Sequence, residues 1–226
     1  MNIIFGCEES QAVCKEFRKL GHNAFSCDLL PCSGGHPEWH LQMDIFKAIK
    51  GGRLKTQAGN FVTIKKWDQG IFFPPCTHLA TSGAKHFAKK RENGSQQEAI
   101  RFFIRLWEAP IRRIAIENPV GIMGGPYLYE HFPQFAKHGF PRKPDQIIQP
   151  WWFGDPHTKQ TCLWLKGLPK LQPTNIVDKG KRHTTKSGKS LPEWYNLPPG
   201  PDRAKIRSKT FQGIAKSMAS QWGQLQ

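Results

Sequence analysis

The chain is short of negative charge. Its 226 residues hold 17 Asp and Glu against 33 Lys and Arg, a formal charge of +16 with a pI near 9.8. That imbalance points to a polyanionic partner, because each cation set on a phosphate releases condensed counterions; charge alone does not say which polyanion. Long apolar runs are also missing. No stretch approaches the roughly 18 residues a membrane span needs, and the first residues lack the charged start and small-residue cleavage site of a signal peptide. A cytoplasmic protein with no membrane partner is therefore expected. The six cysteines follow no regular spacing, and without an export signal they are expected as thiols. Apolar content is only 38% and prolines number 18, which predicts a core interrupted by long irregular surface segments. Wholesale disorder is excluded by 8 Trp, 15 Phe and 3 Tyr, since groups of that size do not stay solvated throughout. The length suits one domain, or one domain with a small lobe, and no internal repeat is present.

Apolar runs alternate with helical patterns. Asn2-Ile3-Ile4-Phe5 ends at Gly6. From Glu9 to Leu20, Ala12, Val13, Phe17 and Leu20 recur at helical spacing before Gly21, and Ala24 to Cys27 predicts a second strand ending at Asp28. Strand, helix, strand is the unit of a parallel sheet. Gly70 to Phe73 runs into Pro74-Pro75-Cys76, and Arg113 to Ile116 runs into Glu117-Asn118-Pro119. Both are read as strands ending in a proline-stiffened loop. Gln96 to Trp107 between them is read as a connecting helix, with Ile100, Phe103, Ile104 and Trp107 on one face. After Asp145, Gln146 to Phe153 and Thr161 to Leu165 predict an antiparallel pair turning around Gly154-Asp155-Pro156. Residues 167 to 201 are rich in Pro, Gly, Lys and Ser and are expected as a mobile basic loop or small lobe. Phe211 to Trp222 predicts a last helix. The expectation is an α/β fold, doubly wound on a mostly parallel sheet.

In such a sheet ligands bind at the carboxyl ends of the strands, so Cys76 and Glu117, 41 positions apart, belong to one rim. Alone, a cysteine is more often a small buried hydrophobe, and Glu-Asn-Pro is a common strand exit. Together they offer a thiol nucleophile and a carboxyl group able to protonate a ring nitrogen, which addition to an electron-poor pyrimidine requires.

On these motifs the sequence resembles the cytosine-C5 DNA methyltransferases, in the short form found in bacteriophage genomes. The likeness runs in order through Ile3-Ile4-Phe5-Gly6-Cys7, Asp28, Met43-Asp44-Ile45, Pro-Pro-Cys, Glu-Asn-Pro, Gln149 to Leu165, and Arg207-Ser208-Lys209-Thr210-Phe211-Gln212-Gly213-Ile214-Ala215. The resemblance implies a Rossmann-like methyltransferase fold, S-adenosylmethionine as cofactor and double-stranded DNA as partner. It implies covalent catalysis on a flipped cytosine, with Cys76 attacking carbon 6 and Glu117 holding and protonating N3. Asn118 would fix the loop of Glu117, and Pro74 and Pro75 would set the approach of the thiol. Lys159 and Gln149 are the candidates for contact with the ring. The cofactor would be bound by Phe5, Gly6, Cys7, Glu8, Ser10, Asp28 (ribose hydroxyls), Leu29, Asp44 (adenine amino group), Ile45, Pro74 and Gly213. Lys85, Lys179, Lys181, Arg182, Lys186, Arg207 and Lys209 would meet DNA phosphates. Residues 1–166 and 202–226 would form the catalytic domain, with 167–201 in place of a target-recognition domain. So short and lysine-rich a segment grips phosphates but offers few rigid groups for reading base edges, so relaxed sequence preference is expected. A monomer with no obligate protein partner is expected.

The sequence departs from the family in three places. Phe5-Gly6-Cys7-Glu8-Glu9-Ser10 has one glycine and two carboxylates where the family has a glycine-rich turn. Glu8 or Glu9 could meet the cofactor's ammonium group, or serve the first turn of a helix through its dipole. The arginine-rich stretch is replaced by Gln149 to Lys159, in which Trp151 and Trp152 are either core or a stacking wall for the base. The target-recognition segment is short. Cys27, Cys32, His36 and His40 have a spacing that structural zinc sites can use, but Cys27 falls in a predicted buried strand and no metal is expected. Two other readings remain: the same adduct chemistry on another substrate or with another one-carbon donor, and an inactive basic DNA-binding protein on this scaffold.

Overall fold

Short apolar runs, each presenting alternate residues to opposite layers of helices, build one seven-stranded sheet in a computed structural model of the chain, which describes residues 1–185, 187–193, 200 and 209–225. Its strands are β1 (Asn2–Gly6), β2 (Asn23–Asp28), β3 (His40–Gln42), β6 (Gln69–Phe72), β7 (Arg113–Pro119), β8 (Gln146–Ile148) and β9 (Thr161–Lys166). They lie in the order β3-β2-β1-β6-β7-β9-β8. The first five in that order run parallel, and β9 is antiparallel to both its neighbours. The expected mostly parallel α/β sheet with an antiparallel pair toward the C-terminal side is therefore present.

Helices cover both faces, because side chains along a strand alternate between them. Ile3 and Phe5 of β1 pack with α1 (Ala12–Lys19) and the last helix, α6 (Gln212–Trp222), through Val13, Phe17, Ile214, Met218 and Trp222. Ile4 faces the other layer, where α2 (Ile45–Ile49), α3 (Phe87–Glu92), α4 (Ser95–Trp107) and α5 (Pro126–His131) contribute Ile45, Phe87, Ile100, Phe103 and Leu128. The chain builds outward from β1 to β3 and then returns to lay β6 on the other side of β1. In sheets with such a reversal, ligands bind in the crevice outside the carboxyl ends of the strands flanking it, here β1 and β6. No helix among the described residues is long and apolar enough to cross a membrane.

The structure differs from the sequence reading at several boundaries. Helix α1 starts at Ala12, not Glu9, because Gln11 takes a left-handed backbone (φ 56°) and the residues before it form a turn. Strand β7 continues through Pro119: Glu117, Asn118 and Pro119 stand opposite Leu163, Cys162 and Thr161 of β9, so the Glu-Asn-Pro motif is strand where a loop was expected. Trp151 and Trp152 lie in a 3-10 turn, Pro150–Trp152, beyond the end of β8. A hairpin between β3 and β6, of β4 (Gly52–Lys55) and β5 (Phe61–Ile64), was not read from the sequence. Within the basic segment, residues 171–177 run beside Trp151–Phe153: Thr174 and Asn175 N–H donate to the Trp152 carbonyl and Val177 N–H to that of Trp151. A small hairpin of β10 (Arg182–Thr184) and β11 (Ser190–Pro192) follows.

Candidate active site

Strand β6 ends at Phe72, and the chain turns over the rim through Pro74, buried, and Pro75 and Cys76, both exposed. Parallel pairing sets Phe72 opposite Ile116, so the Cys76 turn leaves the rim beside Glu117. Asn118, itself 2% exposed, donates from Nδ2 to the Pro74 carbonyl at 2.8 Å. It therefore ties the loop of Cys76 to the strand of Glu117. Further out the two loops are joined again. Ala80 and Gly121 form an antiparallel bridge, Thr81 donates from its N–H and its hydroxyl to the Val120 carbonyl, and the Ile122 N–H donates to the Leu79 carbonyl at 3.0 Å. A Cβ at Gly121 would stand 2.4 Å from the Leu79 oxygen, so only glycine permits this approach.

Glu117 is half-buried. Burial pushes its carboxyl above the ordinary range, and the Lys159 cation pulls it part of the way back. Lys159 comes from the strand-connecting segment before β9, where its N–H donates to Gln149 Oε1 at 3.0 Å and its Nζ lies 5.8 Å from the Phe211 ring centre. Cys76, Glu117, Asn118 and Pro75 thus share the rim, and Lys159 and Gln149 are joined to each other beside it. The rim thus brings an exposed thiol beside a carboxyl that burial raises above its ordinary range.

The other half of the crevice is built differently. Phe5 and Gly6 are buried, and a Cβ on Gly6 would meet Phe72 and Ile45 within 2.9 Å, so this glycine serves packing between β1, β6 and α2. Cys7 has a left-handed backbone (φ 60°), and its N–H bonds the Cys27 carbonyl. Burial pushes its thiol up to about 12, with Asp28 and Asp44 adding to the rise, which marks the ends of β1 and β2 and the start of α2 as one neighbourhood. Glu8 points inward. It is 4% exposed, and its carboxyl oxygens accept from the N–H groups of Val13 at 2.5 Å and Cys14 at 3.3 Å, the first turn of α1. Of the two roles open to it, that of serving the helix is the one its bonds fill. Burial still pushes its carboxyl up to about 8, against those two bonds. Glu9 binds the Ser33 hydroxyl instead, and Ser10 beside it is partly exposed.

The nucleoside end of the proposed cofactor fits these residues better than its methionine end. Asp28 accepts from Leu30 N–H on Oδ1, and Asp44 caps α2 by accepting from Phe46 and Lys47 N–H on its own Oδ1. Both remain partly exposed, next to Leu29 and Leu30, which are 71% and 61% exposed. Carboxylates flanked by open apolar surface suit ribose hydroxyls and a purine face. Ile45 is buried beneath them. Gly213 opens α6: its N–H donates to Asp155 Oδ2 at 2.7 Å, and its missing side chain makes room for the Phe153 carbonyl. Its nearest partners are thus residues 153–155.

Of the predicted phosphate contacts, Lys85 is exposed on the 3-10 turn Thr81–His86 that follows the Cys76 loop. Lys179, Lys181 and Lys209 are exposed; Lys179 Nζ lies 5.2 Å from the Trp151 ring centre, and Arg182 holds Ser190 across the small hairpin. Lys186 and Arg207 lie outside the described residues. Trp151 and Trp152 meet edge to face at 5.8 Å, and Trp152 packs on the α1–α6 side of the core. In the Cys-His series, Cys27 Sγ donates to the Met43 carbonyl, and both His40 nitrogens are engaged, with Ser26 Oγ and the Leu30 carbonyl. No group of three or more His, Cys, Asp or Glu placed to hold a metal occurs among the described residues.

The sequence reading missed two features of the rim. One is the bond from Asn118 to Pro74, whose partners are 44 positions apart with no local signal joining them. The other is Gln96, fully buried at the start of α4, which donates to the His78 carbonyl two residues after Cys76. A polar residue at a core-facing position of a helix was the available sign.

No family model matches the sequence, and no curated protein matches it. Among solved structures, a protein described as a DNA modification methyltransferase encoded within a prophage of E. coli aligns at 16% identity and a TM-score of 0.46, over 79% of this chain and 52% of that one. The Entamoeba histolytica methyltransferase EhMeth aligns at 15% identity and a TM-score of 0.43, over 83% of this chain and 62% of that one. The chain thus spans little more than half the length of these neighbours, and a likeness this distant carries no argument about its chemistry.

Proposed function

We propose that this protein is an S-adenosylmethionine-dependent DNA methyltransferase acting on carbon 5 of cytosine. The observation that carries the reading is the pairing of the Pro-Pro-Cys turn with the Glu-Asn-Pro strand end, joined by the bond from Asn118 to the Pro74 carbonyl. The cysteine and the acid come from separate strands and are held by a contact that passes directly between the two motifs.

In this reading the flipped cytosine enters the crevice above β6 and β7, a position only an unstacked base reaches. The Cys76 thiolate adds to carbon 6, forming a carbon–sulfur bond, as Glu117 delivers its proton to N3. The ring electrons that would otherwise rest on N3 then make carbon 5 nucleophilic. The cofactor, when bound, supplies a methyl group carried on a positively charged sulfur, and carbon 5 takes it. Loss of the carbon-5 proton to water restores the ring double bond and expels the thiolate, and N3 returns its proton to Glu117. Lys159 tunes the acid: its charge draws the Glu117 carboxyl back down against the rise that burial gives it. Asp28 and Asp44 would hold the nucleoside of the cofactor. The exposed cations Lys85, Lys179, Lys181 and Lys209 would grip the DNA backbone, with affinity falling steeply as salt rises.

The test is covalent capture on DNA containing 5-fluorocytosine. Fluorine at carbon 5 cannot leave as a proton does, so the adduct accumulates as a band stable to denaturation. Mass spectrometry of nucleosides from DNA co-expressed with the protein should find 5-methylcytosine. Failure to trap either single- or double-stranded substrate, with no modified cytosine in cells, overturns the reading.

A further inference from the structure

The segment that carries Cys76 presents four consecutive carbonyls, and each is claimed from a different direction. The Cys76 carbonyl accepts from Leu79 and Ala80 N–H within its own turn, at 3.0 and 2.9 Å. The Thr77 carbonyl accepts from Lys90 Nζ of α3 at 2.5 Å, and that of His78 from Gln96 Nε2 of α4 at 3.1 Å. The Leu79 carbonyl accepts from Ile122 N–H, beyond β7. The hold by Gln96 differs in kind from the other three. The turn bonds are local, Lys90 is a long, half-buried chain, and Ile122 belongs to the neighbouring loop. Gln96 alone is a buried polar side chain, 0% exposed, fixed on the first turn of a thirteen-residue helix.

Gln96 is itself held. Its Oε1 accepts from the Tyr127 hydroxyl of α5 at 3.0 Å, and that hydroxyl accepts in turn from Arg91 Nη1 of α3 at 2.5 Å. The direction of each bond is therefore set along the series. The guanidinium can only donate, so it orders the phenol oxygen as acceptor, and the phenol proton points to Gln96. That fixes the amide with its oxygen toward Tyr127 and its nitrogen toward His78, the orientation in which it donates to the loop. Phe87 packs against the Tyr127 ring at 5.0 Å between centres and keeps the phenol in place.

We infer that Gln96 is a positioning residue for the Cys76 thiol, acting through the His78 carbonyl, with Tyr127 and Arg91 fixing the direction of its amide. This rests on the reading of Cys76 as nucleophile and goes beyond it by naming what sets the thiol's position from behind the loop. The physical reason is that attack on a ring carbon needs the sulfur in a narrow range of distance and angle, and a shift near 1 Å costs up to about a hundredfold in rate. Two prolines stiffen the approach to Cys76 from its N-terminal side, but nothing covalent stiffens the residues after it, where Gln96 binds.

The test uses the full chain and three variants. Gln96→Met keeps the size and removes both hydrogen bonds, Tyr127→Phe removes only the support of the amide, and the double variant combines them. Gln96→Met should lower the rate of capture on 5-fluorocytosine DNA by about tenfold or more at saturating substrate, while dissociation constants for DNA and cofactor move by less than about threefold. Tyr127→Phe should lower the same rate by a smaller factor, and the double variant should be no slower than Gln96→Met, because residues that act through one another do not add. Equal capture rates in Gln96→Met and the parent, losses confined to binding, or additive losses in the double variant would each overturn the inference. Amide hydrogen exchange without DNA keeps the outcome separate from that of the proposed function. Leu79 and Ala80 should exchange about tenfold faster in Gln96→Met, with β7 unchanged. Should the parent fail to trap DNA at all, the proposed function falls, and unchanged exchange at those amides would remove the hold by Gln96 as well.

Discussion

The two halves of the crevice, both built at carboxyl ends of central strands, are stabilised by opposite means. On the β6–β7 side the loops reach out over the rim and are fastened to one another: Asn118 to Pro74, Thr81 to Val120, Ile122 to Leu79. The polar atoms there hold an exposed cysteine at a defined place. On the β1–α1 side the polar atoms turn inward. Glu8 spends both carboxyl oxygens on the N-terminus of α1, and Gly6 gives its missing side chain to Phe72 and Ile45. Motifs that resemble one family can thus diverge within a single crevice. On the β6–β7 side the bonds fix one loop against another, and on the β1–α1 side a buried acid begins a helix.

The contrast can be broken most forcefully at Cys76. Cys76→Ala should abolish capture and transfer, a loss of about four orders of magnitude or more, with DNA affinity unchanged in a filter or anisotropy assay. Turnover surviving in that variant would mean the rim is not the reacting half. Glu117→Gln comes next, with an expected loss of about 10²–10⁴ in single-turnover rate, because an amide holds N3 but has no proton to yield.

Asn118→Ala should act on both levels. It leaves the Pro74 carbonyl without its buried donor, costing about 1–3 kcal/mol in a denaturant titration, and it frees the Cys76 turn from β7. A smaller effect is expected at Lys159. Removing its charge by Lys159→Met lets burial raise the Glu117 carboxyl further. Activity that needs the protonated acid falls as pH rises through that value, so the alkaline limb of the rate profile should move to higher pH. A shift downward would assign Lys159 another part.

The smallest effect on activity is expected at Glu8, where the comparison is sharpened. Its carboxyl sits near 8 in the folded protein against an ordinary 4.5. Between those values the folded chain binds more protons than the unfolded one, so this group's contribution to stability falls as pH rises through that window. Glu8→Gln, which cannot ionise, should lose that part of the pH dependence in thermal melts while leaving cofactor affinity nearly unchanged. A tenfold loss of cofactor affinity would instead place Glu8 at the ligand.

Much of this was legible in the chain because it depends on near neighbours. The runs that became β1, β2, β6, β7 and β9 and the helical stripe of α4 follow from periodicity, and an apolar run ending in Pro-Pro-Cys says that a cysteine stands at a strand end. The extent of β7 through Pro119 was not legible, since proline and asparagine read as a loop until β9 supplies a partner for them. Nor was the β4–β5 hairpin: only Leu54 and Ile64 of its strands are buried, with Val62 partly so, which leaves too weak an alternation to read.

The excess of positive charge, the α/β class, and a thiol and an acid at strand ends were thus determined by the sequence itself, because composition and local period suffice for each. Tertiary structure alone decided that Asn118 would clasp the other motif's loop, that Gln96 would sit behind it, and that Glu8 would face the helix rather than the crevice. Each of those is a hydrogen bond, and a hydrogen bond is settled only when folding has fixed which donors and acceptors are left without water.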